Sequence, residues 1–305
     1  MKKKIFVLGI GGLTGLKLCE ISKDIFDVYG SFNFRDPKLD FVSSSNIDIS
    51  NLDDLRMILN EIKPDVIVNT IALSSVDYCE QHKDEATKLN VKFVNDLFEI
   101  SEKLSIKIVH LSSDSIFDGN KDTPYVETDH PNPINHYGMS KLLSENIVLK
   151  NPSNLVVRAS VLYGWLPKII ANKKSSSKKS HNFSQWLIHQ LKNENEVKII
   201  TDEQSSPIIA EDFAKSILHL IQQNQSGIFH SAPSINISRF DFSVKLANYL
   251  NLNAKLIKPV TNTELGRKVI TGKNKSLNGS KLESTGFQFL TLDDSFELLK
   301  NQLDL

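Results

Sequence analysis

The feature that most limits how this chain can fold is a short apolar run that stops on glycine. Ile5-Phe-Val-Leu8 leads into Gly9-Ile-Gly-Gly12-Leu-Thr-Gly15, and Leu13, Leu16, Leu18 and Ile21 follow. An unbroken apolar run is typical of a strand buried on both faces, and the later spacing is that of a helix. Glycines at positions 9, 12 and 15 let the backbone turn sharply and approach a phosphate, and the free N–H groups of the helix start face the same place. Gly9, Gly12, Leu13, Thr14 and Gly15 are therefore candidate contacts of a dinucleotide. Such a turn also serves as a plain strand–helix connection, and its place between a buried strand and a helix weighs for the nucleotide.

The alternation then repeats. Phe26 to Phe34 reads as a strand, and residues 46–49 as a short one. Ser50 with Asp53 suggests a capping box for a helix over Leu52 to Ile62. Pro64 to Asn69 is a parallel strand that delivers Asn69, Thr70, Ile71 and Ala72 to its end. A helix is expected from near Glu80 to about Leu104, with Ala86, Leu89, Val94, Leu97 and Ile100 as its apolar stripe. Asn90 lies within it, either as a buried hydrogen-bonding residue or as a surface one. Strands follow at Ile106–Leu111 and Leu155–Arg158. Strand–helix units of roughly thirty residues imply an α/β chain with a Rossmann-type, doubly wound parallel sheet, whose ligand sits at the carboxyl ends of the strands.

Residues 1–160 are expected to form the dinucleotide-binding domain. Residues 161–305 are expected to form mainly a smaller C-terminal α/β substrate domain, with some strands and helices returning to the Rossmann sheet. In that second part, helices are expected at Phe183–Leu191, Ala210–Ile221, Arg239–Leu250 and Leu292–Leu303, and strands at Val197–Ile200 and Gly227–His230. The run Lys173–Lys179, KKSSSKK, has no apolar periodicity and reads as a solvated loop or a lid.

Charge narrows the class of partner. Lys+Arg and Asp+Glu both number 36 in 305 residues, so no global field draws the chain to nucleic acid or to an anionic membrane. No apolar run approaches the ~20 residues of a membrane span. The basic start MKKKIFVLGIGG reads as a first strand rather than a signal peptide, because its apolar run is short and ends on glycine. Two cysteines, Cys19 and Cys79, support neither a disulfide framework nor a metal site, and a reduced, cytoplasmic setting is expected.

The chemistry concentrates between Ile108 and Asn146. A strand ends in Ser112, Ser113, Asp114 and Ser115, and a helix opens with Tyr137 and places Lys141 four residues on. Positions i and i+4 share a helix face, so a phenol and an ammonium can point at one place near a strand-end hydroxyl. Those three groups suffice to move a proton on or off a carbonyl oxygen. At the ends of the second and third strands, Asn33, Arg35, Asp48 and Ile49 add to the cofactor candidates. An arginine there can pair with a 2′-phosphate, which favours NADPH over NADH. A solvated Arg35 beside Asp36 is the other reading.

The set Gly9/Gly12/Gly15, Ser113, Tyr137 and Lys141 resembles an extended short-chain dehydrogenase/reductase. The segments KPDVIVNTIALSSVDYCE (63–80), HLSSDSIFDG (110–119), YVETDHPNPINHYGMSKLLSEN (125–146) and VVRASVLYG (156–164) resemble the dTDP-4-dehydrorhamnose reductase family. SPIIAEDFA (206–214) and GIFHSAP (227–233) extend the likeness into the second half. The resemblance implies that Tyr137 gives a proton to the substrate carbonyl. It implies that Lys141 holds the nicotinamide ribose and lowers the tyrosine pKa, and that Ser113 orients the same oxygen. It makes NADPH, or else NADH, the cofactor, with contacts from Asn69, Thr70, Ile71, Ala72, Asn90, Tyr137 and Lys141. A nucleotide sugar of the dTDP-rhamnose type becomes the substrate, met by Ser74, Asp77, Ser112, Ser115, Phe117, Tyr163 and Trp165, with a homodimer left open. Ser115 stands where the family has a tyrosine, Ser74-Ser75 where it has a bulkier pair, and Lys268–Lys275 lacks its Arg-Pro pair. Three readings follow: reduction of a 4-keto-6-deoxy sugar nucleotide, epimerisation of one, or a non-catalytic dinucleotide-binding subunit like the regulatory subunit of methionine adenosyltransferase.

Overall fold

The computed structural model of the protein describes residues 2–171 and 182–303, so Lys173–Lys179 lies outside the described residues. Six strands come first: β1 (Lys4–Leu8), β2 (Asp27–Phe32), β3 (Ser43–Asn46), β4 (Val66–Asn69), β5 (Lys107–Ser113) and β6 (Leu155–Ala159). The chain returns to their sheet much later with Gly227–Ser231, which pairs parallel with β6. The resulting seven-stranded sheet runs in the order Gly227–Ser231, β6, β5, β4, β1, β2, β3, and all its pairings are parallel. The order reverses between β1 and β4, which opens a crevice at the carboxyl ends of those two strands.

Alternating side chains of each strand serve two cores. Phe6 and Leu8 of β1, Ile67 of β4 and Ile108 of β5 pack with Leu55, Leu59, Leu97 and Ile100. The last four belong to helices α2 (Leu52–Ile62) and α5 (Phe93–Leu104). On the other face Val7, Val68, Val109 and Val157 meet Leu18 of α1 (Leu13–Ser22) and Phe213 and Ile217 of the helix Ala210–Gln222. A third cluster, with Leu187, Ile199, Phe242, Leu246 and Phe296, gathers the helices Phe183–Lys192, Arg239–Tyr249 and Leu292–Lys300.

Several boundaries differ from expectation for physical reasons. The second strand stops at Phe32, and the third covers residues 43–46, leaving Asp48 in a turn where its carboxylate accepts the Ser50 N–H at 2.9 Å. Asn51, not Ser50, caps α2 by accepting the Asp53 N–H. The helix expected from Glu80 starts earlier, as α3 (Val76–Gln81), capped by Ser75. It resumes as α4 (Lys83–Thr87) and passes through one π-helical turn, Lys88–Lys92, before α5. Such a turn changes which side chain faces inward. Here it buries Asn90, whose Oδ1 accepts the Leu73 N–H at 2.8 Å and whose amide donates to Leu73 O at 3.1 Å and Ser140 Oγ at 3.0 Å.

Ser140 lies on α6 (His136–Val148), which Asn135 caps through the Gly138 N–H. The helix is fastened to the sheet by a buried ion pair: Arg158 of β6 donates to both carboxylate oxygens of Glu145 at 3.0 and 2.7 Å, with each side chain only 2% exposed. Removing one partner of such a pair strands the other charge and costs about 3–5 kcal/mol. Arg158→Met should lower unfolding stability by that amount in urea titrations, and Arg158→Met/Glu145→Met should recover most of it. A double variant as unstable as the single one would mean that the ion pair is not the source of the loss.

Candidate active site

A cavity of about 480 Å³ opens at the carboxyl ends of β1, β4 and β5. Its floor is the glycine turn. Gly9 has φ +89° and its N–H donates to Ser31 O at 3.0 Å, as does that of Ile10 at 2.9 Å. A Cβ on Gly9 would stand 2.8 Å from Thr70 Oγ1, and one on Gly15 only 2.3 Å from Gly9 O. Gly15 therefore seats α1 against the turn and does not line the cavity, whereas Gly9, Gly12, Leu13 and Thr14 do. Gly12 is the N-cap of α1 and no side chain caps it, nor does any carboxylate sit in the first turn. This shallow, side-chain-free cradle at a helix N-terminus fits the pyrophosphate of a dinucleotide. Arg35 also lines the cavity and is 8% exposed; its Nη2 donates to Ala171 O at 3.0 Å, and burial lowers its pKa. A surface arginine is thus not what the fold makes of it. A guanidinium beside the turn fits the 2′-phosphate of NADP(H). Asn33 and Ile49 line the same end, with Ile47, which the sequence did not suggest.

Thr70, Ile71 and Ala72 form the next stretch of wall. Asn69, Asn90 and Asp48 do not line the cavity, and their hydrogen bonds hold its frame. Asn69 Oδ1 accepts the Ile71 N–H at 3.1 Å, which turns its amide toward His110 Nδ1 at 3.2 Å. His110 is fully buried on β5, and its pKa lies well below the usual value because of burial and the Lys141 charge. The ring is therefore neutral. Its Nδ1 faces the Asn69 amide, and its Nε2 is hydrogen-bonded with Ser144 Oγ at 2.9 Å. Ser144 in turn donates to Lys141 O at 2.7 Å.

Lys141 Nζ approaches the same His110 nitrogen at 3.1 Å. The lysine is 3% exposed, and burial brings its pKa down to about 8, against the opposing pull of Glu145. Tyr137 is pushed the other way. Burial raises its pKa, the Asp114 charge raises it further, and its hydrogen bond with Ser113 opposes them. The expected lowering of the phenol pKa by Lys141 is therefore absent from the balance that the protein itself sets. Ser113 Oγ, which meets that phenol, donates to Asp114 Oδ1 at 3.0 Å and accepts the Ser115 N–H at 3.2 Å.

Asp114 was not singled out in the sequence and is central here. It is 4% exposed and accepts from Ser113, Ser115 (3.1 Å) and Ser160 (2.8 Å). The signal was its place between two candidate serines. Gly138 was missed too: a Cβ there would lie 1.9 Å from Ser115 O, so α6 can start this close to the serine turn only with glycine. Arg239 and Lys275 also line the cavity and come from segments far apart in the chain, which no local pattern indicates. Among the expected substrate contacts, Ser74, Ser112 and Ser115 line the cavity. Phe117, Tyr163 and Trp165 do not. Phe117 stacks on Tyr125 at 4.2 Å, Tyr163 is buried on Phe242 and bonded to Ser295, and Trp165 packs against that same third core. Asp77 is exposed in the first turn of α3.

This fold, with a glycine turn at the switch point and a hydroxyl, a phenol and an ammonium at the strand ends, defines an NAD(P)-dependent oxidoreductase of the extended short-chain dehydrogenase/reductase class. The family described as the RmlD substrate binding domain matches residues 3–299. A probable low-salt glycan biosynthesis reductase, Agl14, of Haloferax volcanii is 30% identical over 298 residues, 97% of this chain and 96% of that protein. The methionine adenosyltransferase 2 subunit beta of Bos taurus is 27% identical, over 93% of this chain and 83% of its own. The crystal structure of dTDP-4-dehydrorhamnose reductase from Bacillus anthracis in complex with NADP superposes with a TM-score of 0.84 at 25% identity, covering 98% and 99% of the two chains. The chain belongs to the RmlD substrate binding domain family, the dTDP-4-dehydrorhamnose reductase-like branch of the extended class.

The lowered pKa of Lys141 has a thermodynamic counterpart. Its proton leaves near pH 8 in the folded chain and near 10.5 when unfolded, so between those values the unfolded state binds more protons and stability rises with pH. Below pH 8 the buried ammonium carries its full cost, of order 3 kcal/mol. Lys141→Met should therefore melt at a higher temperature than the parent at pH 7, with the gap narrowing towards pH 10.5. A parent more stable than the variant at pH 7 would contradict this.

Proposed function

We propose that the protein reduces the 4-keto group of a 6-deoxy sugar linked to a nucleotide, with NADPH as reductant, for glycan or cell-surface polysaccharide precursors. The observation that carries this is the convergence of the Tyr137 phenol and the Ser113 hydroxyl in one cavity with the glycine turn. Relatives named for glycan biosynthesis and for dTDP-4-dehydrorhamnose reduction support the substrate class.

The dinucleotide, when bound, supplies a hydride to the carbonyl carbon. Gly9, Gly12 and the start of α1 would hold its pyrophosphate, and Arg35 its 2′-phosphate. Ser113 and Tyr137 would both hydrogen-bond the carbonyl oxygen and so stabilise the charge that develops there. Because its raised pKa keeps Tyr137 protonated near neutral pH, it is an acid ready to donate to a nascent alkoxide, which is far more basic. Proton transfer leaves a phenolate, and the Lys141 ammonium, still charged below pH 8, lies on the same helix face to offset it. On the substrate side Ser115, which stands where the resembling family has a tyrosine, lines the cavity with its hydroxyl turned to Asp114. That favours a sugar differing in size or substitution at this wall.

The relatives named methionine adenosyltransferase 2 subunit beta carry a second reading, in which the chain binds a dinucleotide and acts through a partner. Ser113, Tyr137 and Lys141 standing together weigh for the enzyme.

A panel of 4-keto-6-deoxy sugar nucleotides should include one that drives stoichiometric oxidation of NADPH. Tight dinucleotide binding with no consumption across the panel would move the protein to the second reading. Tyr137→Phe should keep its NADPH affinity and lose about 10²–10⁴-fold in turnover, the range of a lost general acid; unchanged turnover would remove Tyr137 from its role. Arg35→Ala should weaken NADPH much more than NADH in fluorescence titrations. Equal weakening of both would separate Arg35 from the 2′-phosphate.

A further inference from the structure

We infer that the second half of the chain sets the cofactor preference, through a turn whose last carbonyl aims the Arg35 guanidinium and which Ile170 anchors. This rests on, and deepens, the reading of Arg35 as the 2′-phosphate contact. The segment begins at Leu166, which lines the cavity, and closes in the single helical turn α7 (Lys168–Ala171). The N–H groups of Ile170 and Ala171 both donate to Pro167 O at 2.9 Å. The last carbonyls of a helical turn have no partner within it. Here Ala171 O accepts from Arg35 Nη2 at 3.0 Å, across 136 residues of sequence.

Two attachments hold that carbonyl in place. At its root the segment is tied to the helix Phe183–Lys192. Asn182, the cap of that helix, donates from Nδ2 to Gly164 O at 2.9 Å, and Gln185 Nε2 donates to Leu166 O at 2.8 Å. At its tip the attachment is apolar. Leu166, Ile170 and Ala171, each 4% exposed or less, form one cluster with Leu16, and Leu13 and Leu39 pack against it. Leu13 and Leu16 belong to α1, which opens on the glycine turn, and Leu39 lies in the loop that follows Arg35. The glycine turn's helix, the arginine loop and the second half of the chain thus meet at one point. Ile170 is the large side chain that α7 commits to it.

A guanidinium grips a phosphate as a planar fork, so the direction of that plane decides how well it binds. Left alone, an arginine side chain spreads over many rotamers and loses that freedom on binding. The Ala171 carbonyl fixes the plane beforehand, and being uncharged it does so without neutralising the cation. NADH offers a hydroxyl where NADPH offers a phosphate, so it draws little from the fork. A contact that aims Arg35 therefore acts on NADPH and scarcely on NADH. A contact that merely supports the glycine turn acts on both alike.

The test titrates the full chain with NADPH and NADH by fluorescence, and with adenosine 2′,5′-bisphosphate and AMP by calorimetry. Ile170→Asn places an amide in the apolar cluster and should release the turn. It should weaken NADPH and the bisphosphate by roughly tenfold, the scale of a lost hydrogen bond to a charged group, and NADH and AMP by less than about twofold. Near-parental NADH binding also reports intact folding. Ile170→Ala should move the same way by a smaller factor, and it decides the comparison if Ile170→Asn binds neither dinucleotide. Ile170→Leu, which keeps the apolar volume, should retain the parent's preference. In an Arg35→Ala background Ile170→Asn should weaken NADPH no more than NADH, because its effect runs through the guanidinium. Equal weakening of both dinucleotides by the Ile170 variants, no weakening of either, or full additivity with Arg35→Ala would each overturn the inference. In those cases a selective Arg35→Ala leaves the 2′-phosphate reading standing. An Arg35→Ala variant that loses both dinucleotides equally would overturn that reading, and this inference with it.

Discussion

A helix that packs on a sheet usually offers it an apolar stripe, and α6 does not. Its buried face carries Ser140, Lys141, Ser144 and Glu145, with Val148 as its apolar end. Each buried polar group needs a partner or it costs the fold several kcal/mol, and the rest of the structure supplies those partners. Asn90 reaches Ser140 from a π-helical turn, His110 meets Lys141 and Ser144 from β5, and Arg158 neutralises Glu145 from β6. These contacts leave α6 one seat on the sheet, and that seat puts Tyr137 against Ser113. The polar helix face is thus how the protein holds a phenol and a strand-end hydroxyl in one geometry.

The architecture was readable because its signals are local. Ile5–Leu8, the glycine turn and Pro64–Asn69 each announce themselves within a few residues, and their repetition specifies a parallel sheet. Ser113, Tyr137 and Lys141 were readable for a related reason, since two share a helix face and the third ends a strand. Asn69 and Asn90 were recognised as significant, yet their side chains bind Ile71, His110 and Leu73 rather than lining the cavity. Sequence order says that a polar residue is near a site, and only packing says which way it faces. Phe117 and Tyr163 show the same ambiguity for rings, as both are spent on cores. Arg239 and Lys275 were out of reach because β-pairings between distant segments bring them together.

Electrostatically the cavity has two positive ends and a negative middle. Arg35 and the helix N-terminus mark one end, Arg239 and Lys275 the other, and Asp114 lies between them, sustained by three serine hydroxyls. Asp114 contributes to the high pKa of Tyr137. Burial lowers the pKa of Lys141 on the same helix. Burial thus moves the phenol and the amine in opposite directions, and Asp114 adds to the shift of the phenol.

Gly11 sits where a Cβ would lie 2.1 Å from the carbonyl oxygen of Arg35. The glycine turn and the loop that carries the guanidinium are consequently two surfaces of a single joint. The contact is with the backbone and Cβ of Arg35, so an exchange of the side chain at 35 leaves it intact, whereas a movement of the loop does not. A backbone shift that tuned the loop for another dinucleotide would press on the turn, so the two segments are bound to evolve in step.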